Sequence, residues 1–181
     1  VTRYLAGVGV RQFLDCGVTL PATENVHQVA LRINAESTVV YVSRDPVALA
    51  HGRALLADND RTHIADADYR LPRKVLEHPV VAKHIDFEQP VALYHAGTMR
   101  YVSDKRDPHA IMAAYIDALP SDSYVAFTHL LDPGPDHHLY ETMIAARQVA
   151  LDHGVRSHSR GRQEILAMLD GLELLEPGLV P

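Results

Sequence analysis

The segment Arg11-Gln12-Phe13-Leu14-Asp15-Cys16-Gly17-Val18-Thr19-Leu20-Pro21-Ala22 joins a short apolar run to a loop of turn-forming residues. Phe13 and Leu14 are adjacent apolar residues, as expected of a strand that is covered on both faces. In an open parallel sheet, ligands bind outside the carboxyl ends of the strands. The segment therefore predicts a buried first strand that delivers Asp15 and Gly17 to a ligand site.

The size, composition and charge of the chain favour an ordinary globular protein and argue against nucleic acid and membranes as partners. Its 181 residues, 47% hydrophobic and 22% charged, suffice for one domain, which we predict to span residues 1–181. A net charge of -6 provides no basic patch for nucleic acid or an anionic membrane. Cys16 is the single cysteine, and no secretion signal or membrane-spanning run is recognisable. We therefore predict a cytoplasmic protein that binds neither nucleic acid nor membrane.

Strand-like and helix-like segments alternate along the chain. Runs rich in β-branched residues predict strands, and apolar residues at helical spacing predict the helices between them. This alternation predicts an α/β fold, a mostly parallel sheet with helices on both faces. The predicted strands cover residues 12–15, 38–42, 62–65, 90–94, 124–128 and 171–175. The predicted helices cover residues 2–8, 24–33, 46–56, 71–78, 79–84, 108–119, 138–153 and 163–169.

The residues along these elements resemble the S-adenosyl methyltransferase family of the class I, Rossmann-like fold. The resemblance runs from Arg3 to Pro181, which is nearly the whole chain. It implies S-adenosylmethionine as the cofactor and methyl transfer to a small molecule as the reaction. Its most specific pieces are Arg11-Gln12-Phe13-Leu14-Asp15 with Leu20-Pro21, Asn25-Val26-His27, Val40-Tyr41-Val42 with Asp45-Pro46-Val47, Asp66-Ala67-Asp68, Asp107-Pro108 and Glu176-Pro177-Gly178-Leu179-Val180-Pro181.

The resemblance also implies which residues meet the cofactor after the first two strands. In the family, an Asp-x-Gly-x-Gly loop approaches the methionine end of the cofactor. Here Asp15 and Gly17 match that loop, while Thr19 stands at the second glycine, where a side chain disfavours positive φ. The family also places an acid at the end of the second strand to hold the ribose, and Ser43 stands there in this chain. Loss of a charged acceptor removes about 1.5–3 kcal/mol of hydrogen bonding.

Three more aspartates are candidates for cofactor binding. Asp45 either substitutes for the missing ribose acid or caps the helix that begins at Pro46. Asp66 and Asp68 follow the third strand, where the family contacts the adenine amine; the alternative is that they are solvated loop carboxylates. Arg44 beside Asp45 favours an anionic ligand at this edge.

The segment Tyr94-His95-Ala96-Gly97-Thr98-Met99-Arg100 departs from the mostly apolar segment of the family. Imidazole titrates near neutral pH, so His95 is a candidate general base at the end of the fourth strand. The alternative is a histidine that only hydrogen-bonds to a neighbouring loop. Arg100 is the second catalytic candidate.

The twelve histidines raise the question of a metal site. Side chains with suitable donor atoms follow the fifth strand, but no histidine pair has the His-x-x-x-His spacing of a helical metal site, so we predict none. The donors are His129, Asp132, Asp136, His137 and His138.

These departures leave an alternative function open. Ser43, Thr19 and the altered segment after the fourth strand also fit a relative that has lost methyl transfer, acting as a cyclase- or lyase-like enzyme or as a non-catalytic partner subunit. The resemblance further implies a fold shortened at both ends, without most of an upstream helical lid and without a seventh strand. An exposed sheet edge of that kind invites a second copy of the chain or a partner subunit.

Overall fold

Five parallel-sheet strands form the centre of the fold. The computed structural model describes residues 1–17, 24–56 and 60–180. Within them lie β1 (Gln12–Cys16), β2 (Thr38–Ser43), β3 (Thr62–Asp66), β4 (Val91–Ala96) and β5 (Tyr124–Thr128). The strand order is β3-β2-β1-β4-β5, and β1 pairs in parallel with both β2 and β4, as β2 does with β3. The predicted α/β fold with a mostly parallel sheet is confirmed.

The chain divides into two compact units. The first comprises Val1–Ala96 and Asp117–Phe127, and the second comprises Gly97–Ile116 and Thr128–Pro181. A single domain over residues 1–181 stays a prediction. The helices of the first unit are α1 (Thr2–Gly7), α2 (Val26–Ile33), α3 (Pro46–Leu55), α4 (Pro72–Leu76) and α5 (Pro79–His84). Those of the second are α6 (Pro108–Ile116), α7 (Tyr140–Asp152) and α8 (Arg162–Ala167).

Side-chain alternation gives the sheet of the first unit two buried faces. One face packs on α1 and α2 in a single apolar cluster. Because successive strand residues point to opposite sides, the residues between them face the other way, where α5 packs against β2 and β3. The first face carries Phe13, Val39, Tyr41, Ala92 and Tyr94; the second carries Leu14, Val40, Val42, Leu93 and His95.

Local sequence signals explain where the helices of the first unit begin. Asn25 and Gln28 form a capping box at the start of α2. Asp45 accepts hydrogen bonds from two backbone amides at the start of α3, whose first residue is Pro46. Proline also stands at the first position of α4 and α5. No helix within the described residues is both long and apolar enough to cross a membrane.

A buried arginine organises the second unit. Arg160 is 4% exposed and lies beside Leu131 in an isolated parallel bridge. Apolar side chains of α6 and α8 are buried in this unit, whereas α7 buries none of its residues. The 3-10 turns Met99–Tyr101 and Asp104–Arg106 connect the end of β4 to α6.

Two predictions about strands need correction. The final strand predicted at residues 171–175 is wrong, because Gly171 with a φ of +85° closes a turn and no strand follows it in the described residues. Leu174 and Leu175 are 44% and 50% exposed, so they are not covered as strand residues of a core would be. The fourth strand ends at Ala96 rather than at residue 94, which places His95 inside the sheet. Thr19 lies outside the described residues.

Candidate functional site

Asp15 is a carboxylate in apolar surroundings at the carboxyl end of the central strand. It is half-buried between Tyr41 of β2 and Tyr94 of β4, its register partners. Burial raises the pKa of Asp15 to about 7. No ion pair with Asp15 occurs among the residues the structure describes. The site therefore holds a carboxyl group that has a raised pKa and no ion-pair partner among the described residues.

The two tyrosines beside Asp15 cannot serve as its partners because other groups hold their hydroxyls. The Tyr41 hydroxyl accepts a hydrogen bond from the His27 amide at 3.0 Å and lies 2.9 Å from His27 Nδ1. The Tyr94 hydroxyl donates to Thr2 Oγ1 at 3.0 Å. The Tyr41 side chain is thus held by α2, and the Tyr94 side chain is held by α1.

Gly17 supplies the backbone geometry that the predicted loop requires. Its φ is +83°, a conformation that residues with a side chain rarely adopt. Its amide donates to the Val42 carbonyl at 2.8 Å, which ties the end of β1 to β2. Glycine at this position is therefore required by the turn as well as by any ligand.

At the end of β2, the two polar residues are both engaged locally. Ser43 is 4% exposed, and its hydroxyl accepts from the Asp45 amide at 3.2 Å. Asp45 Oδ1 accepts from the amides of Val47 and Ala48 at 2.7 and 3.3 Å, so Asp45 caps α3. Both of these bonds use Oδ1, which leaves Oδ2 of the exposed Asp45 available as an acceptor. Capping and a ribose contact by Asp45 are therefore compatible.

Asp68 after β3 is held by two arginines. Arg70 donates its amide and Nε to Oδ1 at 3.0 and 2.8 Å and its Nη2 to Oδ2 at 2.6 Å. Arg44 donates Nη1 to Oδ2 at 2.8 Å. Burial raises the pKa of Asp68, but the bonds from Arg70 and the charge of Arg44 outweigh it and lower that pKa overall. A carboxylate has about four acceptor positions, and all are filled here, so an adenine amine would have to displace one arginine.

Asp66 is more accessible than Asp68. It is the last residue of β3, pairs in register with Ser43, and is exposed. Of the two aspartates predicted to meet adenine, Asp66 is thus the one whose carboxylate is open to solvent.

His95 lies on the opposite face of the sheet from Asp15. It is fully buried, its ring meets that of Tyr69 edge-on at 6.3 Å, and burial lowers its pKa to about 3. A base with so low a pKa is almost entirely unprotonated at neutral pH but has little affinity for a proton. The structure does not bring His95 and Asp15 together, and a catalytic role for His95 stays a prediction.

Arg100 belongs to the second unit, in the turn after β4. Its Nη2 donates to the Tyr101 hydroxyl at 2.5 Å, and its guanidinium carbon lies 4.7 Å from the centroid of the Tyr101 ring. Behind it, Arg160 donates to the carbonyls of Met99 and Val102 at 3.2 and 2.7 Å. The sequence predicted Arg100 as a site residue but gave no such role to Arg160. The contacts of Arg160 join residues that are distant in the sequence, so only the fold reveals them.

The loop after β5 does not assemble the considered metal donors. His129 Nε2 lies 2.9 Å from Arg160 Nη1. Because arginine can only donate, His129 Nε2 accepts a hydrogen bond from Arg160 and is not available to a metal. Within residues 1–17, 24–56 and 60–180, no three histidine, cysteine or acidic side chains are placed to share a metal ion.

The comparisons with known proteins identify the family and the fold of the chain. The sequence model of the S-adenosyl methyltransferase family matches residues 1–181. A proposed methyltransferase from Thermobifida fusca YX is 37% identical over 99% of this chain, with a TM-score of 0.88. A DUF574 family protein from Streptomyces avermitilis MA-4680 is 33% identical over 99% of this chain, with a TM-score of 0.86. No functionally curated protein matches the chain significantly.

The coverage of these matches limits which properties of the matched proteins can be assigned to this chain. The chain spans 65% of the Thermobifida protein and 68% of the Streptomyces protein, the first being less than two thirds. A mycolic acid cyclopropane synthase in complex with S-adenosylhomocysteine is 14% identical over 95% of this chain and 60% of its own, with a TM-score of 0.64, and shows a shared fold alone. Fold and family were both predicted from the sequence, and both are confirmed: this chain belongs to the S-adenosyl methyltransferase family, whose cofactor is S-adenosylmethionine.

Proposed function

We propose that this chain binds S-adenosylmethionine at the carboxyl end of β1 and transfers its methyl group to a small molecule. The observation that carries the proposal is Asp15, a half-buried carboxylate without an ion pair in the described residues, next to Gly17 in its positive-φ turn. S-adenosylmethionine carries two cationic groups, the sulfonium and the α-ammonium. Either would supply the counter-charge that Asp15 lacks, so the residues present fit the cofactor.

The remaining contacts follow from acceptors that the strand ends leave open. Asp45 Oδ2 is placed at the end of β2 to accept from the ribose hydroxyls in place of the acid that Ser43 replaces. Asp66, exposed at the end of β3, is the acceptor for the adenine amine, with Asp68 joining if Arg44 releases it. These assignments keep every cofactor residue predicted from the sequence.

The protein's contribution to the reaction is alignment. When bound, the cofactor supplies a methyl group on a positively charged sulfur, which is already activated toward displacement. The chain has to hold that group in line with the acceptor atom and exclude water, and such positioning accounts for a large share of rate acceleration. His95 is a weak candidate for removing the acceptor's proton, because burial lowers its pKa to about 3.

Titration calorimetry with S-adenosylhomocysteine tests the proposal directly. We expect a dissociation constant below about 1 mM, and at least tenfold weaker binding of S-adenosylmethionine by Asp15→Asn, because the variant loses a charged partner worth about 1.5–3 kcal/mol. Asp117→Asn is the matched control, since Asp117 is exposed and outside the site. Absence of heat with either ligand at about millimolar concentration would overturn the proposal.

The alternative of a chain that has lost methyl transfer gains no support. None of the comparisons favours a cyclase, a lyase or a non-catalytic subunit, and the described part of the site keeps the charge that the cofactor needs. Ser43 still marks the chain as a divergent member, with an expected cost in affinity of about one to two decades.

Location and assembly are lesser parts of the proposal. A cytoplasmic location is supported by the sequence, since Cys16 is its single cysteine and no intrachain disulfide is possible. A homodimer or a partner subunit is supported by β5, the outermost strand next to β4, whose residues are only partly buried. Sedimentation velocity at two protein concentrations tests assembly, and a monomer at both would argue against it.

A further inference from the structure

Arg100 differs from the two other arginines that are not fully exposed in how its charge is compensated. Arg70, Arg100 and Arg160 are the ones that are not classed as exposed. Arg70 pairs with Asp68 at 2.6 Å, and Arg160 pairs with Asp104 at 2.7 Å. No carboxylate of the described residues lies within 4.0 Å of Arg100. A partly enclosed cation without a counter-charge is unfavourable, so an anionic partner would stabilise it.

The hydrogen-bonding capacity of Arg100 is also largely unused. Its recorded side-chain bond goes from Nη2 to the uncharged Tyr101 hydroxyl at 2.5 Å. Its Nε–H is buried and has no acceptor among the described residues. Nη1 has no hydrogen bond to the described residues, and the Arg100 side chain as a whole is only partly buried. The guanidinium therefore keeps two donor groups without acceptors among the described residues, and it stacks on the Tyr101 ring.

The backbone that carries Arg100 is held in place by the second unit. The Arg100 carbonyl accepts from the His158 amide at 2.7 Å. Arg160 binds the carbonyls on either side, those of Met99 and Val102. Because Arg160 is buried, the backbone of this turn is already ordered before a ligand meets the guanidinium.

A glycine without a side chain and a threonine hydroxyl adjoin the guanidinium. A Cβ atom added to Gly97 would lie 3.9 Å from Arg100 Nε and 3.9 Å from Thr128 Oγ1, so both border the position where Gly97 has no side chain. The Gly97 amide donates to the Thr128 carbonyl at 3.1 Å, which places all three groups at the ends of β4 and β5. Ligands bind at this edge of parallel sheets.

His129 is a titratable neighbour of Arg100. Burial lowers the pKa of His129, which follows Thr128 in the chain, and the charges of Arg160 and Arg100 lower it further. The Arg160 charge is offset by Asp104, whereas the Arg100 charge is not. A ligand at Arg100 therefore meets one uncompensated cation and one exposed hydroxyl, the donor set of a carboxylate or phosphate subsite.

We propose that Arg100 and Thr128, which meet beside Gly97, bind an oxyanion of the methyl acceptor, either a carboxylate or a phosphate. The acceptor is thus a small molecule that carries one such group besides the atom that is methylated. This inference rests on the proposed function for the identity of the ligand as a methyl acceptor. The oxyanion site itself rests only on the contacts of Arg100.

The experiment is a nuclear magnetic resonance titration of the full chain, labelled with ¹⁵N, at constant ionic strength. The probes are sodium benzoate and inorganic phosphate, which separate a carboxylate from a phosphate preference. We expect one of them to shift the resonances of residues 97–101 and 128–129 with a dissociation constant in the millimolar range, as a single charged contact allows.

Variants show whether Arg100 is responsible. Arg100→Gln is expected to weaken binding at least tenfold, and Thr128→Val by a few fold, since a neutral hydrogen bond contributes less than a charged one. Arg106→Gln is the matched control, because it removes the same charge from an exposed position of the same unit. Arg100→Lys keeps the charge without the planar fork and is expected to fall between wild type and Arg100→Gln.

Several outcomes would overturn the inference. These are no shift at about 50 mM of either probe, an equal loss in Arg106→Gln, or a loss of S-adenosylhomocysteine binding in Arg100→Gln, which would assign Arg100 to the cofactor. Binding of S-adenosylhomocysteine to the wild type, measured alongside, tests the proposed function separately. If it fails while the probes bind at Arg100, the methyl-acceptor assignment falls with the proposed function.

Discussion

Asp15 shows how the surroundings of one residue can prepare a site at the expense of stability. Its carboxylate lies between two tyrosines whose hydroxyls are engaged by His27 and Thr2, so it gains little from either. Burial alone raises its pKa to about 7. In the unfolded chain Asp15 loses its proton near the ordinary pKa of 3.8. The folded chain therefore keeps a proton on Asp15 at higher pH values, where the unfolded chain has already released it.

The sign of this effect gives a prediction for Asp15→Asn. Between about pH 4 and pH 7 the contribution of Asp15 to stability falls as pH rises, because only the folded state retains the proton. We expect Asp15→Asn to be more stable than the wild type at pH 8, on the order of 2 kcal/mol, and nearly equal to it at pH 4.5. Urea unfolding at both pH values measures this. Equal stability at pH 8 would show that the Asp15 carboxylate is well solvated.

Arg44 is a second residue whose contacts bear on ligand binding. Its Nη1 fills the last acceptor position of Asp68, although the Arg44 side chain is 60% exposed. We predict that Arg44→Gln binds S-adenosylhomocysteine several fold more tightly, because Asp68 regains an acceptor for adenine. Calorimetry checks this, with Arg53→Gln as an exposed control from α3. Weaker binding by Arg44→Gln would instead show that Arg44 itself contacts the ligand.

At the scale of elements, α3 joins local structure to the cofactor site through Asp45. Its carboxylate caps the helix through Oδ1 and leaves Oδ2 at the end of β2. Asp45→Ala should lower the free energy of unfolding by about 1 kcal/mol, the usual contribution of an N-cap. Asp45→Asn keeps a capping oxygen and should retain most of that stability.

The same pair of variants separates the two roles of Asp45. If Oδ2 accepts from the ribose, Asp45→Asn should bind S-adenosylhomocysteine about tenfold less tightly while its unfolding midpoint hardly changes. Calorimetry and urea unfolding on the same preparations check this. Unchanged affinity in both variants would leave Asp45 as a cap alone.

The connection between β4 and α6 is held in place by hydrogen bonds from Arg160. The fork of this buried arginine binds two carbonyls, an Asp104 oxygen and the His129 ring. Arg160→Lys cannot reach all four, so we expect a loss of about 2–3 kcal/mol from buried groups left unpaired. Arg162→Lys, exposed and bonded to one carbonyl, should lose far less. Equal losses in urea unfolding would contradict this account.

At the scale of the whole molecule, burial is uneven. β1 and β2 lie inside the sheet, whereas α7 buries none of its residues and exposes Val149 by 58%. We predict that amides of β1 and β2 exchange hydrogen most slowly and those of α7 much faster, because local opening of α7 exposes little apolar surface. Hydrogen exchange followed by mass spectrometry measures this. Protection of α7 equal to that of β1 would indicate a partner covering it.

Short-range patterns predicted much of this fold because the forces behind them are local. Prolines and capping residues set the starts of α2, α3, α4 and α5, and β-branched runs set β2 and β5. The prediction of a final strand at residues 171–175 was wrong. A strand needs a neighbouring strand to pair with, and a run of apolar residues does not by itself provide that partner. The end of β4 was missed for the same reason, since pairing with β1 and β5 decides how far a strand continues.

By itself, the sequence determined the α/β fold, the family, and Asp15 with Gly17 at the end of the first strand. Only the tertiary structure decided what each polar residue can do, because charge and hydrogen bonding depend on neighbours distant in the chain. Asp15 is buried without an ion pair among the described residues, and His95 is buried on the opposite face of the sheet. Two arginines, Arg44 and Arg70, bind the Asp68 carboxylate. Arg100 is the converse case, since folding brings Gly97 and Thr128 beside it but, among the described residues, no carboxylate within 4.0 Å.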